Sequence, residues 1–382
     1  MNAQNVEQKP VVKRESKNKI RVEFDRTPLK DRLKAKFLSL FFLQKVAIWV
    51  FRLVLMIGIS YIVLYPFLTK IMASFMAPQD FIDATVRLIP KNFTLDIYRA
   101  IISELGYFEA FANTFILSFS TALIQMLVCC LIGYGFAKFK FKGRTLLFAL
   151  VVLTMVIPHQ TIRYSMYMTF RYFDILGIIR FLKGGGIEFF GFNLMDLGEG
   201  FKTLFSSINL LPGMIGEMEV TADGINLVNS YAPFIILSLG ALGFKNGLYI
   251  FLLRQFFRGV PDELEESAYM DGSGVFKTFF RIILPLSIPM MITVFLFAFC
   301  WQWTDNFYTD LFFTTVSDKL LFGRSGFISI PSSLELKYAG EALYNTAIRN
   351  TCGLMIIFPL VILYVFCQNF LVQGIEQSGL AN

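Results

Sequence analysis

Long apolar runs separated by shorter polar segments dominate the chain from residue 47 onward. Six of these runs reach the roughly 20 residues that a helix needs to cross the hydrocarbon core of a bilayer. They predict membrane spans at 47–70, 112–136, 145–168, 231–254, 286–306 and 350–371. Strand-like alternation of apolar and polar residues does not repeat along the chain, so we expect helical spans. The pattern therefore predicts an all-α integral membrane protein with six transmembrane helices.

Composition supports this class and excludes several kinds of site. The chain is 55% hydrophobic and 16% charged, whereas soluble domains carry about 25% charged residues. Its five cysteines lie in apolar runs and lack the spacing of a zinc site, so they are interpreted as packing residues. The single histidine, His159, excludes a multi-histidine metal centre and, beside Pro158, is interpreted as packed at a helix kink. We predict no metal site and no catalytic residue.

Charge patterning predicts how the chain is oriented. Residues 1–46 hold twelve basic and five acidic residues, which is typical of a cytosolic arm held near anionic lipid. The link 138–144 has four basic residues and no acidic one, whereas the connections 71–111 and 169–230 are more acidic than basic. By the positive-inside rule, both termini are then cytosolic. The net charge of +7 requires no nucleic-acid partner, because the excess lies mainly in the arm.

The predicted cytosolic loop 255–285, between the fourth and fifth spans, is long enough to contain helices of its own. Pro261, followed by acidic residues, predicts a helix start, since proline suits the first turn and acids favour the positive end of the helix dipole. Gly272 predicts the end of that helix, because glycine accepts left-handed backbone angles. A second short helix is expected from about Ser273 to Ile283, before Pro285.

One face of the first loop helix carries small residues. Leu264, Ala268 and Gly272 follow one another at intervals of four residues and therefore share a face. Three acidic residues fringe that face: Glu265, Glu266 and Asp271. Two interpretations remain open at this point. The helix either receives a soluble partner protein on its small residues or is part of an ordinary helix pair lying on the membrane surface.

The same loop resembles the EAA loop of ABC importer permeases. The resemblance rests on residues 261–272 and, nine residues later, on 282–286, with Ser267 where alanine is usual. Within those permeases the chain is most similar to the carbohydrate-uptake, MalG-like branch. Further segments fit that branch: 88–95, Asn113 with Thr114, 133–139, 251–257 and 301–305. The resemblance covers roughly 45–375 apart from 177–230.

The resemblance implies a type I ABC importer permease fold in the cell membrane of a prokaryote. It implies a transmembrane domain of five helices at 112–371, after the first span. The segment 177–230, which has no counterpart in the resemblance, is expected to be an extracytoplasmic insertion that docks the binding protein or caps the pathway. The expected partners are a second permease, two ATPase subunits that carry the ATP and Mg, an extracytoplasmic substrate-binding protein, a sugar and membrane lipid. This chain itself would bind no cofactor. The residues implied in coupling are Glu265, Glu266, Ser267, Ala268, Asp271, Gly272, Ile282, Leu284 and Pro285.

Two groups of residues are candidates for a substrate pathway. Lys245 is predicted inside the fourth span, where an ionisable group is a pathway candidate, and Asn246 beside it could hydrogen-bond a hydroxyl. Trp301, Asp305 and Tyr308 are predicted on one face at the outer end of the fifth span, with Trp303 nearby. A snorkelling or structurally paired lysine explains the first group equally well. The aromatic belt of a membrane interface explains the second.

Three classes of function compete for this sequence. An ABC importer permease for an oligosaccharide or another sugar fits the loop best, and a permease for a non-sugar solute is the alternative. A channel or secondary carrier is a second class, although no inverted repeat supports it. A membrane enzyme is a third class, but the sequence contains no His-Glu-x-x-His site or other plausible catalytic set. A transport subunit rather than an enzyme is therefore expected.

Overall fold

A computed structural model of the chain separates into two units, Met1–Leu68 and Thr69–Asn382. It describes residues 40–174, 220–221, 224–243, 245–315, 319–322, 327–334 and 341–379. Most of the predicted cytosolic arm and most of the predicted 177–230 insertion lie outside the described residues. In the first unit, the described residues belong to one long apolar helix with Pro66 inside it.

The described residues form thirteen α-helical segments, with short 3₁₀ turns at Pro78–Phe81, His159–Ile162 and Ser332–Leu334. In chain order the helices are α1 (Leu40–Ala73), α2 (Asp96–Glu104), α3 (Tyr107–Lys138), α4 (Arg144–Val156), α5 (Arg163–Arg171), α6 (Ala232–Leu239), α7 (Asn246–Gly259), α8 (Glu263–Met270), α9 (Val275–Thr278), α10 (Leu284–Leu286), α11 (Ile288–Trp303), α12 (Phe307–Phe312) and α13 (Glu341–Gly379). A π-helical turn, Phe279–Ile283, joins α9 to α10.

Extended structure is minimal. Within the described chain, the strands are β1 (Val220–Thr221) and β2 (Gly224–Ile225), which pair antiparallel with Val220 opposite Ile225. Two isolated bridges join Met76 to Phe93 and Phe173 to Ile225. The predicted all-α class therefore describes this architecture apart from one short hairpin.

Among the residues that the structure describes, three helices are long and apolar enough to cross a membrane: Gln44–Ala73, Tyr107–Lys138 and Ala342–Gly374. They contain the predicted spans 47–70, 112–136 and 350–371. Two bent helix pairs bring the number to as many as five in the described residues. One pair covers the predicted span 145–168 and bends by 90° at its break, and the other bends by 74° where α10 meets α11.

The predicted fourth span, 231–254, is not one helix. Helix α6 ends at Leu239, and α7 begins at Asn246. Between them Ala241 (φ 53°) and Lys245 (φ 67°) adopt left-handed backbone angles that cannot continue a right-handed helix. Lys245 therefore lies at a helix break, at the start of α7, and the expectation that it is inside one continuous span helix is wrong.

Helix α3 is central in the second unit, where it packs against α7 and α11, while α11 also packs against α13. The contact between α3 and α7 depends on Gly133. A Cβ atom at Gly133 would lie 2.9 Å from Leu253 Cβ and 3.1 Å from the backbone N of Arg254. Hydrogen at this position lets the two helix backbones approach closely. On the other side, Trp303 Nε1 donates a hydrogen bond of 3.0 Å to the Ile356 carbonyl and joins α11 to α13.

Candidate functional site

Helix α8, at the start of the 261–286 loop, has acidic residues in its first turn, where they favour the positive end of the helix dipole. Its C-terminus closes through two backbone hydrogen bonds. Gly272 N donates to the Tyr269 carbonyl at 3.0 Å, and Ser273 N donates to the Ala268 carbonyl at 2.9 Å. Gly272 itself has φ +76°. This is the Schellman closure, which favours glycine at the left-handed position and turns the chain sharply.

The return segment from Gly272 to the membrane helix is less regular than the predicted single helix. It consists of α9, the π-helical turn and α10. Ile283 is fully buried, whereas Ile282 and Leu284 on either side of it are half-buried. Pro285 lies in α10, immediately before the break that leads into α11. Buried Ile283 therefore anchors the segment to the rest of the protein, and the residues on either side of it remain partly accessible to solvent.

The predicted common face of small residues on α8 is only partly exposed. Leu264 and Gly272 are exposed, but Ala268 is buried together with Glu265. The prediction that another protein approaches Ala268 is therefore wrong, because the protein's own chain covers that side chain. Ser267, Glu266 and Asp271 lie on the exposed side.

The outer surface of the loop is an apolar patch with acidic neighbours. Met270 is 88% exposed and Phe276 is 80% exposed, and Phe280 between α9 and α10 is also exposed. Leu264 and Tyr269 add to the patch. Methionine and aromatic residues are enriched in protein interfaces. Several large exposed apolar side chains within one short loop are typical of a site that receives another protein.

Lys138, the last residue of α3, holds the beginning of α8. Its ammonium donates to the Val260 carbonyl at 2.7 Å and to Asp262 Oδ1 at 2.6 Å. Glu265 Oε1 is 3.8 Å from the same nitrogen. The lysine side chain is only 6% exposed. A single shielded cation therefore connects α3, the end of α7 and the first turn of α8.

The two carboxylates near Lys138 occupy different environments. The hydrogen bond from Lys138 holds the pKa of Asp262 below its usual range. Burial raises the pKa of Glu265, although attraction to Lys138 opposes that shift. Glu265 Oε1 lies within ion-pair distance but accepts no hydrogen bond. Asp262 is thus the directly bonded partner, and Glu265 is the buried charge that depends on the lysine.

The structure pairs two of the predicted pathway residues with each other, and it pairs a third with His159, which was predicted to be a packing residue. Lys245 Nζ lies 5.1 Å from the centroid of the Trp301 ring, which is a cation–π contact. Tyr308 Oη and His159 Nδ1 are 2.9 Å apart and share a hydrogen bond. Trp301 is partly exposed, but Tyr308 is buried. Lys245 and Trp301 therefore form the more accessible pair.

Trp301, Asp305 and Tyr308 do not share one helical face. Helix α11 ends at Trp303, and Tyr308 belongs to the separate helix α12. Asp305 is buried and accepts hydrogen bonds from the backbone N–H groups of Tyr308 and Thr309, at 3.3 and 2.9 Å. It caps α12, and a carboxylate at this position satisfies N–H groups that the helix leaves free. The expectation of one face shared by these three residues is wrong.

The buried polar residues near the helix break include Asn246, which was a predicted pathway candidate, and Gln125 and Ser238, which were not predicted. Gln125 Nε2 donates to Ser238 Oγ at 3.2 Å, so α3 is joined to α6 inside the membrane-spanning region. Asn246 is 2% exposed, and neither atom of its amide has a hydrogen-bond partner. The signal in the sequence was Gln125, a polar residue in the middle of an apolar run. Within the described residues, no group of three or more histidine, cysteine or acidic side chains could hold a metal ion.

Comparisons with known proteins identify a protein family and several relatives of this chain. Residues 129–377, about two thirds of the chain, match the family described as binding-protein-dependent transport system inner membrane component. The chain is 28% identical to the alpha-glucoside transport system permease protein AglG of Rhizobium meliloti over 75% of this chain and 60% of that one. It is 25% identical to the arabinooligosaccharides transport system permease protein AraQ of Halalkalibacterium halodurans over 84% and 92% of the two chains.

Two further similarities extend along most of the chain. The inner membrane ABC transporter permease protein YcjP of Escherichia coli is 24% identical over 83% of this chain and 91% of that one. The fold is similar to that of a bacterial ABC transporter involved in the import of the acidic polysaccharide alginate. That comparison has a TM-score of 0.58 and 17% identity, and it covers 85% of this chain and 97% of the other. The match to AglG, in contrast, spans less than two thirds of that relative.

Proposed function

This chain belongs to the family of binding-protein-dependent transport system inner membrane components, and from that membership we propose that it is the permease subunit of an ATP-driven importer for an oligosaccharide or another sugar. The family is one of transport subunits rather than enzymes. The membership confirms the resemblance that the 261–286 loop indicated. The sugar assignment is supported by the names of the relatives, which transport alpha-glucosides and arabinooligosaccharides.

The observation that carries the proposal is the exposed elbow of α8, Gly272 and α9. Its outer surface presents Met270 and Phe276 with Glu266 beside them, while its inner surface is held by Lys138. A soluble ATPase subunit would receive this outer surface. Glu266, Ser267, Asp271 and Gly272 would contact it or shape it. Ala268, Glu265 and the return segment at Ile282, Leu284 and Pro285 would hold the elbow to the permease.

The transport cycle follows from two states of the complex. ATP closes a pair of ATPase subunits, and closure draws the elbows of two permeases together. The spans then change from an inward-facing to an outward-facing arrangement, and a sugar delivered by an extracytoplasmic binding protein enters between them. Hydrolysis restores the first state. The ATP and Mg belong to the partner subunits, and this chain contributes the mechanical connection and one half of the pathway.

The proposed topology is a multi-pass protein of the prokaryotic cell membrane. It has six spans, both termini in the cytosol and the 255–285 loop on the cytosolic side. Helices α6 and α7 together would form the fourth span, broken at Lys245. A non-helical break at membrane depth is accepted where it is covered by protein or lines a cavity. The insertion at 177–230 would face outward and dock the binding protein or cap the pathway.

Purification and reconstitution test the function directly. An affinity-tagged chain, extracted from its native membrane in mild detergent, should retain two ATPase subunits and a second permease. Vesicles containing that complex should accumulate an oligosaccharide only with ATP and the binding protein. A chain that purifies without an ATPase, or uptake driven by an ion gradient in the absence of ATP, would replace the proposal with a secondary carrier.

Replacing Lys245 with methionine should reduce uptake without preventing assembly. Methionine keeps the length of the side chain but removes the cation over Trp301. We expect a decrease of roughly 2- to 30-fold, which corresponds to about 0.5–2 kcal/mol of lost interaction. Initial rates of ATP-driven sugar uptake in vesicles measure it. Lys245→Arg is the control, because arginine retains a cation for the ring, and full uptake by the methionine variant would remove Lys245 from the pathway.

A further inference from the structure

Lys138 is placed unusually for a lysine at the predicted cytosolic end of a span. Such residues are expected to extend into water, since the charged head is hydrated and the apolar stem covers the neighbouring surface. Here the side chain is 6% exposed. Its nitrogen turns back toward the protein and bonds to the junction between α7 and α8. Lys140, two residues later, is exposed.

The contacts of Lys138 differ in how strongly they are shielded from water. Asp262 is 79% exposed, so its ion pair with Lys138 contributes little by itself. The Val260 carbonyl and the buried Glu265 are the shielded partners. Lys138 also sits at the C-terminus of α3, where a cation is favoured by the helix dipole. The ammonium of Lys138 is therefore held by its partners in the loop and is also favoured by the C-terminus of its own helix.

Tyr134 supports the same junction one turn earlier on α3. Its ring lies 4.7 Å from the ring of Phe279 in the return segment and 5.5 Å from that of Phe257 in α7. Its hydroxyl is near enough to Glu265 for the two groups to interact electrostatically. Residues four apart on a helix face the same way. Tyr134 and Lys138 thus present one face of α3 to both arms of the elbow.

From this geometry we propose that Lys138 is a positioning residue that locks α8 to α3, so that a displacement of the elbow moves α3 with it. The inference rests on the proposed function, since it describes how the elbow acts on the membrane helices. Helix α3 packs against α7 and α11. A movement of α8 is therefore transmitted to α3, and from α3 to α7 and α11, through the Lys138 ammonium and the neighbouring Tyr134 ring.

The test uses the complete importer, with both permeases, the ATPase subunits and the binding protein, in vesicles. The measured quantity is sugar taken up per ATP hydrolysed. Lys138→Met should lower this ratio about 10-fold, within the range of ordinary coupling free energies, while ATPase subunits remain bound. Lys140→Met is the matched control, because it removes the same charge from an exposed position and should leave the ratio unchanged.

A double variant distinguishes a positioning role of Lys138 from mere neutralisation of the buried Glu265 charge. In Lys138→Met the buried Glu265 loses its cation, which by itself could distort the loop. The double variant Lys138→Met/Glu265→Gln removes that charge as well. We expect it to remain uncoupled, because α8 is still not held to α3. Full recovery of the uptake ratio in the double variant would show that Lys138 only neutralises Glu265, and it would overturn the inference.

Two outcomes separate this inference from the proposed function. If the unmodified complex shows no ATP-driven uptake, the proposed function fails. If the unmodified complex transports sugar and Lys138→Met transports it at the same ratio, only the inference fails. Should Lys138→Met not assemble, Lys138→Arg decides the matter, since arginine keeps the charge and the reach. A ratio within about twofold of the unmodified complex supports the inference, and an assembled but uncoupled arginine variant overturns it.

Discussion

Replacing Gly272 with proline should abolish ATP-driven uptake while the protein still inserts into the membrane. Proline fixes φ near −65° and lacks the N–H group, whereas Gly272 has φ +76° and donates a hydrogen bond to the Tyr269 carbonyl at 3.0 Å. The Schellman closure cannot form, so α9 would leave α8 in a different direction. The apolar patch would then be divided. We expect uptake to fall at least 100-fold, equivalent to about 2.7 kcal/mol, measured in vesicles that contain the whole complex.

Gly274 offers a matched control two residues further on. It has an extended backbone with φ −77°, and a Cβ atom there would meet nothing within 4 Å. Gly274→Ala should therefore leave uptake unchanged. Membrane insertion of all variants is measured by flotation with vesicles. Normal uptake by Gly272→Pro would mean that the angle of the elbow is irrelevant, and the proposed coupling role of the loop would have to be abandoned.

Replacing Gly133 with alanine should destabilise the purified protein. The new methyl group would lie 2.9 Å from Leu253 Cβ and 3.1 Å from the Arg254 backbone N. Because backbone atoms cannot rotate away, α3 and α7 must separate. Overpacking of this kind costs about 1–3 kcal/mol, and we expect the Tm of the protein in detergent to fall by roughly 2–10 °C.

The neighbouring Gly135 is the control for that substitution. A Cβ atom at Gly135 would approach only Cδ2 of the Phe139 ring, at 4.0 Å. Gly135→Ala should therefore not lower the Tm, because the methyl group meets no close atom and helix propensity favours alanine over glycine. Equal Tm values for both variants would show that α3 and α7 tolerate a larger separation than their contact at Leu253 indicates.

Hydropathy predicted the long helices because their apolar runs exceed the bilayer thickness without interruption. It could not predict the break at Lys245. Gly240 and Gly243 were visible signals of a turn, but a hydropathy window averages over a few irregular residues between apolar helices. The left-handed angles fall on Ala241 and Lys245, residue types that carry no such preference. The position of the break depends on tertiary packing, which the local amino-acid composition does not reveal.

The loop illustrates a second limit of sequence reasoning. The spacing of Leu264, Ala268 and Gly272 predicted one helix that Gly272 ends, and in the structure Leu264 and Ala268 belong to α8 while Gly272 follows its end. Which side of that helix faces inward depends on Lys138, which is 124 residues away from Asp262 in sequence. The segment 133–139 supports the family resemblance, and Lys138 within it was used only to predict the orientation of the chain in the membrane. Its contact with α8 required a folded chain.

Asp305 shows how one residue type can fit two roles. The sequence made it a pathway candidate, and a carboxylate among aromatic residues is typical of a sugar-binding surface. The same residue, with Thr304 before it and Asn306 after it, is also a signal for the start of a helix. In the structure Asp305 stabilises the start of a helix, since its carboxylate oxygens accept hydrogen bonds from backbone N–H groups of α12.

The π-helical turn Phe279–Ile283 has a consequence for the evolution of this loop. A π turn holds one residue more than the α-helical turn it replaces, while both turns complete one circle around the axis. Losing a single codon within 279–283 would therefore leave an α-helical turn, with Phe276 upstream facing nearly the same way around the axis. The loop can lose one residue at this position without turning its exposed apolar side chains aside, whereas a deletion elsewhere in α8 or α9 would rotate them by about 100°.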